Sequence, residues 1–359
     1  MDFPQPPDWV SGALRDGLAI PAHPLALTRE GRFDERCQRA LTRYYAAAGA
    51  GGVAVGVHTT QFAIRDAGVG LLEPVLACAA ATLDELESPG DDGPRLVRIA
   101  GVCGRTDQAV AEAELAAGLG YHAALISLAG LPKADDDELI EHCRAVAAIL
   151  PAVGFYLQPA VGGRRLGSDF WRRFAEIPNA VAVKIAPFNR YETLEVIRGV
   201  AAAGRAGQVA LYTGNDDNIV ADLLTPFDLT VGGQPVRQRI VGGLLGHWAV
   251  WTQPAVNLHR SLRGMATVGW PVPADVLATG AQVTDANAAV FDAAGGFAGC
   301  IAGIQHVLHA QGLLASPRCL DEREVLSPRQ ADAIERVRRE YPHLIDDDFV
   351  AAGRDAWLA

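Results

Sequence analysis

The stretch "AVAVKIA", Ala180–Ala186, is built of small and β-branched residues with one charge, Lys184, set among them. A run of this kind reads as a buried strand. A buried amine costs free energy unless it is paired or used. Side chains alternate along a strand, so Val181, Val183 and Ile185 share one face and Ala182, Lys184 and Ala186 share the other. The bulky face is expected to pack on helices. The small face, with the lysine, is expected to point into an interior.

Similar apolar runs lie on both sides: Leu18–Leu27, Gly51–Val57, Arg95–Val102, His122–Leu128, Val153–Pro159, Gln208–Gly214 and Arg239–Gly246. Segments with helix start and stop signals separate them. "KADDDELIEHCRAVAAILP" opens on aspartates and stops at Pro151, and "NRYETLEVIRGVAAAG" pairs Asn189 with Glu192 as in a capping box and ends at Gly204. "TDQAVAEAELAAGLG" starts at Thr106. Eight such β–α units in about 250 residues predict an α/β chain folded as a (β/α)8 TIM barrel. A doubly wound open sheet would need a glycine-rich loop after an early strand. The glycine-rich "AAGGFAGCIAG" lies late, inside a helical pattern. The barrel is expected over residues 1–248 and a C-terminal helical appendage over 249–359, with Thr225–Gln238 a long inserted loop before the eighth strand.

Of the 359 residues, 50% are hydrophobic and 20% charged, so a sizeable core is available. The formal net charge of -11 argues against nucleic-acid and anionic-membrane partners. No long apolar span and no signal-peptide pattern is present, which predicts a cytoplasmic location. The six scattered cysteines form no CxxC pair and read as reduced thiols. His306 and His309 share a helix face without a completing carboxylate motif, so no metal site is expected.

In the fifth run, parity puts Gly154, Tyr156 and Gln158 on one face and Val153, Phe155 and Leu157 on the other. Tyr156 is expected to enter the barrel beside Lys184, near the C-terminal strand ends where such barrels carry their sites. A lysine desolvated in such a barrel has a lowered pKa and attacks ketones as the free amine. It would form an imine with a 2-oxo acid, and the tyrosine hydroxyl would carry protons.

At these residues the chain resembles the dihydrodipicolinate synthase / N-acetylneuraminate lyase family of class I pyruvate-type aldolases, from about Gly17 to Tyr341. "PAHPLALTREGRFDE" is similar to the family's "A.vTPf..dg.iD" opening. "GFYLQPAVGG" is similar to its "YN.P...G" segment, "IPNAVAVKIAPFNRY" to its "pNv.giKdss.d" segment, and "LYTGNDD" to its "G.D" segment. The resemblance implies a Schiff-base lysine at Lys184, a catalytic tyrosine at Tyr156, no metal or organic cofactor, a small-molecule 2-oxo acid substrate, and a homo-oligomer, dimer or tetramer.

The family's carboxylate-binding "GTTGE" corresponds here to "GVHTTQF", which makes Thr59, Thr60 and His58 candidate substrate-binding residues, with Gln61 and Phe62 replacing the last two positions. The relay tyrosine of the synthases is replaced around Ala129 and Gly130. Their arginine after the fifth strand is missing, with Val161 near its place and Arg164 a displaced substitute. These losses argue against dihydrodipicolinate synthesis itself. Asp216 and Asp217 are candidates for sugar hydroxyls, as in the lyase subgroup, and Gly214 is a further candidate substrate-binding residue. The expected activity is a lyase or aldolase acting on a pyruvate-type or sugar-derived 2-oxo acid. A dehydratase or hydratase-aldolase using the same imine, and a non-catalytic keto-acid- or sugar-acid-binding barrel, remain open alternatives.

Overall fold

Parallel strands follow one another around a nearly closed ring in a computed structural model that describes residues 3–87, 95–159, 162–269 and 271–359. The strands are β1 (Ala19–Pro21), β2 (Gly52–Val55), β3 (Val97–Val102), β4 (Ala123–Ile126), β5 (Ala152–Leu157), β6 (Ala180–Ala186), β7 (Ala210–Thr213), β8 (Pro226–Val231) and β9 (Gln234–Leu245). Their order is β1-β9-β7-β6-β5-β4-β3-β2, and β8 pairs with β9 alone. β1 and β2 meet through a parallel bridge, Ala22 to Ala54, where the His23 N–H donates to the Ala54 carbonyl at 2.8 Å. This is the (β/α)8 barrel expected from the eight runs.

The long loop expected over Thr225–Gln238 is instead a hairpin. β8 runs antiparallel to the first half of β9, from Pro226 opposite Arg239 to Val231 opposite Gln234. Gly232 and Gly233, both with positive φ (55° and 78°), form its two-residue turn, the geometry that glycine pairs favour. The second half of β9 is the barrel's eighth strand.

Helix starts follow the capping chemistry read from the sequence. Asp135 accepts from the Glu138 N–H at 2.9 Å while Glu138 accepts from the Asp135 N–H at 3.0 Å, opening the helix Asp136–Ala147. Asn189 accepts from the Tyr191 N–H at 2.9 Å at the head of Arg190–Ala202. An additional helix, Asp8–Asp16, precedes β1. Its Val10 and Leu14 join Ile20, Val97, Ile99 and Val153 in the barrel's inner apolar cluster, so this helix plugs the N-terminal end of the barrel.

Beyond the turn His247–Ala249 come the helices Thr252–Val268, Ala274–Val290, Cys300–Ala310, Gln330–Glu340 and Asp347–Trp357. A single apolar cluster runs from barrel-side residues such as Leu41 and Tyr44 to Trp251, Leu308 and Val350 of this region. The helical pattern expected around the glycine-rich "AAGGFAGCIAG" breaks after Val290 and resumes at Cys300. Asp292 takes a positive φ (55°), and its carboxylate accepts from the N–H groups of Gly295 (3.2 Å) and Gly299 (3.1 Å) and from the Ser327 hydroxyl (2.5 Å).

The register of β5, β6 and β7 fixes what faces the interior. Ala182 pairs with Val153 on one side and Ala210 on the other. Lys184 pairs with Phe155 and Tyr212. Ala186 pairs with Leu157. Partners in a parallel register share a face, so these rows form successive layers. Lys184 therefore points inward, as expected from parity. The expected direction of β5 is reversed: Val153, Phe155 and Leu157 face in, while Gly154 and Tyr156 face the helices.

The reason lies in Ser168–Ala175, whose Trp171 and Phe174 press on the outer side of β5. A Cβ on Gly154 would come within 2.9 Å of the Phe174 ring and 3.0 Å of the Trp171 ring. The strand turns its glycine to that crowded side. Val181 also departs from the expected outer face and joins the inner cluster. The β5–β6 register skips it, stepping from Ala152–Ala180 to Val153–Ala182.

Gly154→Ala is expected to cost about 1–3 kcal/mol by overpacking this interface. Urea denaturation checks it, and a midpoint equal to the parent's would contradict the account.

Candidate active site

The inner layers open at the C-terminal ends of the strands into a cleft of about 1030 Å³, measured out to its open mouth. Lys184 rises from its floor and keeps part of its surface open to the cleft. Its Nζ stands over the Phe155 ring, 4.6 Å from the centroid. No carboxylate among the described residues lies within ion-pair distance of it. Gly214 makes room for its stem, since a Cβ there would meet Lys184 Cε and Ala186 Cβ, each at 2.8 Å.

Desolvation holds the Lys184 ammonium below the usual lysine range, with the charge of Asp216 opposing that fall. Asp216 lines the same cleft, and its Oδ1 is buried without a hydrogen-bond partner. Desolvation raises its carboxyl above the usual range, and Lys184 opposes the rise. His58 is pulled down to about 4, first by desolvation and then by the charge of Lys184, so its imidazole is neutral at pH 7. Cys300 and Glu324 reach the cleft from the C-terminal region, and burial raises both of their pKa values.

The loop after β7 is locked from below. Buried Asp222 accepts from the Thr213 hydroxyl at 2.6 Å, from Asn215 at 3.0 Å and from Asn218 at 3.0 Å, and it pairs with Arg190. Asn215 in turn accepts from the Phe188 N–H at 2.9 Å. On the opposite wall, buried Arg65 pairs with Glu112 at 3.0 Å and donates to the carbonyls of Gly56 (3.0 Å) and Gly101 (2.8 Å). It thereby ties together the ends of β2 and β3 that face the cleft.

Of the residues expected at the site, Lys184, His58, Thr59, Gly214 and Asp216 come together around this cleft. Thr59 lines it, with a hydroxyl that donates to the Ala22 carbonyl at 2.8 Å. Thr60 stands behind the wall. Its hydroxyl donates to the His23 carbonyl at 2.7 Å and accepts from the Gly56 N–H at 3.0 Å, so it shapes the turn rather than meeting a ligand. Asp217 is exposed and outside the cleft, and its carbonyl accepts from Thr284. Gln61 keeps a positive φ (67°), the conformation a glycine adopts freely, where the resembling motif has its last glycine.

Tyr156 requires the main correction. It lies outside the barrel wall, stacked on Trp171 with ring centroids 5.4 Å apart, and its hydroxyl accepts from the Leu166 N–H at 3.1 Å. Tyr212 shares the lysine's layer, but its hydroxyl donates down to the Leu14 carbonyl at 2.8 Å. Among the described residues no tyrosine lines the cleft. Arg164 is likewise held elsewhere, donating to the Ala134 carbonyl at 2.6 Å, and Val161 lies outside the described residues.

Residue reading missed Phe188, Phe291, Phe297, Ser127 and Glu324. Ser127 lies in the fourth run and Phe188 just past the sixth, whereas Phe291, Phe297 and Glu324 come from segments far from any strand run, and only packing reveals them. Among the described residues no group of three or more His, Cys, Asp or Glu is gathered to hold a metal, and no helix is long and apolar enough to cross a membrane.

This fold and site define a (β/α)8 barrel with an inward lysine on its sixth strand. No family model matches the chain. It is 32% identical over 142 residues to the 4-hydroxy-tetrahydrodipicolinate synthase of a Cyanothece strain, and 31% identical over 145 residues to that of Acaryochloris marina. Each match covers 39% of this chain and 46% of the relative, so the chain spans about half the length of the curated relatives it matches. Among solved structures, the dihydrodipicolinate synthase of Oceanobacillus iheyensis superposes with a TM-score of 0.71 at 15% identity, covering 93% of this chain and 99% of the other. The N-acetylneuraminate lyase of Fusobacterium nucleatum complexed with pyruvate gives a TM-score of 0.69 at 14% identity, covering 93% and 99%. At these identities the structural likeness shows the fold. The sequence matches to the two synthases cover the part of the chain stated, and over that part the chain is similar to them.

The depressed Lys184 pKa predicts that its amine reacts with acylating reagents at a lower pH than a free lysine. Asp216→Asn should lower that midpoint further, because a charge that stabilises the ammonium is removed. Peptide-resolved competitive labelling reads both shifts, and a midpoint that rises in Asp216→Asn would contradict the assignment.

Proposed function

We propose that this chain is a Schiff-base-forming lyase that makes or breaks a carbon–carbon bond beside the keto group of a 2-oxo acid. The observation that carries the reading is Lys184. It is an inward residue between Phe155 and Tyr212, desolvated, without an ion-pair partner among the described residues, and open to a cleft at the C-terminal barrel face. The lyase complexed with pyruvate among the similar folds agrees in substrate class.

The chemistry begins with attack of the neutral Lys184 amine on the C2 carbonyl. The carbinolamine loses water and leaves an iminium, which withdraws electrons from C3. In the cleavage direction a base takes the proton from the C4 hydroxyl, the C3–C4 bond breaks, and its electron pair forms the enamine. An aldehyde departs, C3 is protonated, and water releases pyruvate and the free lysine. In the synthetic direction the same steps run backward.

With Tyr156 outside the barrel, the proton carrier in this reading is Asp216. Its carboxyl lines the cleft, and burial raises its pKa toward the range where it can both give and take a proton. Neutral His58 is the second group positioned for this work. The turn His58–Thr59 at the end of β2 is where the substrate carboxylate would sit.

Borohydride reduction in the presence of pyruvate is expected to add one reduced pyruvate per chain. The chain has two lysines, Lys133 and Lys184, so the site is simple to assign. Lys184→Arg should abolish the adduct, and Lys133→Arg should keep it. No adduct from any of a panel of 2-oxo acids would remove the reading. Asp216→Asn should lower kcat by about 10²-fold, while Tyr156→Phe should leave kcat near the parent's. The reverse ranking would return the proton-carrying role to Tyr156.

A further inference from the structure

The groups that surround Lys184 divide sharply. Lys184, Asp216, His58, Thr59, Ser127, Gln158, Cys300 and Glu324 supply the polar part of the cleft. The rest of the wall is aromatic and aliphatic: Phe62, Phe155, Phe188, Phe291, Phe297 and Leu157. No arginine and no asparagine side chain lines it among the described residues. Hydroxyls on the part of a substrate that lies along the phenyl rings would be left unpaired there, at a cost in desolvation.

The aromatic wall is held in place at a conformational cost. Phe188 and Phe297 both have positive φ (54° and 70°), uncommon for bulky residues. Their rings meet edge to face, with centroids 6.2 Å apart. Each is secured by a hydrogen bond to its own N–H: Asn215 Oδ1 accepts from Phe188 at 2.9 Å, and the Asp292 carbonyl accepts from Phe297 at 2.9 Å. Asp292 also anchors the loop carrying Phe291 and Phe297 through Gly295, Gly299 and Ser327. Core packing does not require phenylalanines whose faces remain open to a cleft. Strain fixed by dedicated hydrogen bonds, at residues that line the ligand space, indicates a binding surface.

We infer that the aldehyde half of the substrate is aromatic. The chain joins pyruvate to an aryl aldehyde, or cleaves a 4-aryl-4-hydroxy-2-oxobutanoate into those two products, with the ring held between Phe188, Phe297 and Phe62. This rests on the imine reading above and names its substrate class. It also replaces the sugar-hydroxyl role expected for Asp216 and Asp217. Offset and edge-to-face ring contacts supply the recognition. The bond changes are those of the aldol step: C3 of the enamine bonds to the aldehyde carbon, and the aldehyde oxygen takes the proton.

The test uses the wild-type chain with pyruvate and a panel of aldehydes: benzaldehyde, 2-naphthaldehyde, propanal, D-erythrose and N-acetyl-D-mannosamine. Product formation is followed by mass spectrometry, and pyruvate trapping is measured in parallel. The expected result is kcat/KM about tenfold or more higher for the aryl aldehydes than for the sugars and propanal. Phe188→Ala and Phe297→Ala should each narrow that ratio. Pyruvate trapped at Lys184 with sugars or propanal preferred would overturn the aromatic assignment and leave the imine reading standing. Absence of trapping would remove both.

Discussion

The register of three strands decides this site. Because Phe155, Lys184 and Tyr212 occupy one layer, the lysine enters the barrel between two aromatic residues, with no counter-ion in contact among the described residues. An ammonium in such a place is desolvated, and desolvation favours the neutral amine. The layer below is filled by Val153, Ala182 and Ala210, and the helix Asp8–Asp16 seals the barrel beneath. The layer above contains Leu157 and Ala186, and Ala186 with the neighbouring Gly214 leaves the space that becomes the cleft. One pairing pattern thus sets the charge state of the lysine, the floor beneath it and the opening over it.

The outer face of the same strand carries the complementary requirement. Trp171 and Phe174 need a flat partner, and Gly154 supplies it. Tyr156 follows on that side, where its ring packs on Trp171 and its hydroxyl meets the Leu166 N–H. The proton-carrying group that the family pattern assigns to this tyrosine must then come from elsewhere if the chain is an aldolase. Asp216 is the cleft residue whose chemistry suits it. The anchored loops after β6, after β7 and around Asp292 hold that carboxyl and the phenylalanine rings in one frame.

Much of this was legible in the residues. Eight apolar runs at β–α spacing gave the barrel, and β6 was read to its end residues because it is continuous and bounded. Lys184 was read inward because small neighbours shared its face. β5 defeated the same rule: its bulky residues go inward, since the decisive crowding comes from a helix residues away in sequence. The hairpin at Gly232–Gly233 lies in a long, turn-rich segment whose residues suit a loop as well as a strand pair. Phe188 and the pair Phe291 and Phe297 are not recognisable as one wall, because they belong to two loops far apart in sequence that only the tertiary fold brings together. Thr60 and Asp217 fitted a motif by type, yet backbone bonding and exposure take them out of the cleft.

A crystal structure of the chain reduced with borohydride in pyruvate tests the central claim most directly. The account predicts continuous density from Lys184 Nζ to C2 of the reduced adduct, lying above the Phe155 ring, with Asp216 facing it and the Tyr156 hydroxyl still on the Leu166 N–H. Density for an unmodified Lys184, or a Tyr156 hydroxyl turned into the barrel against the adduct, would contradict it.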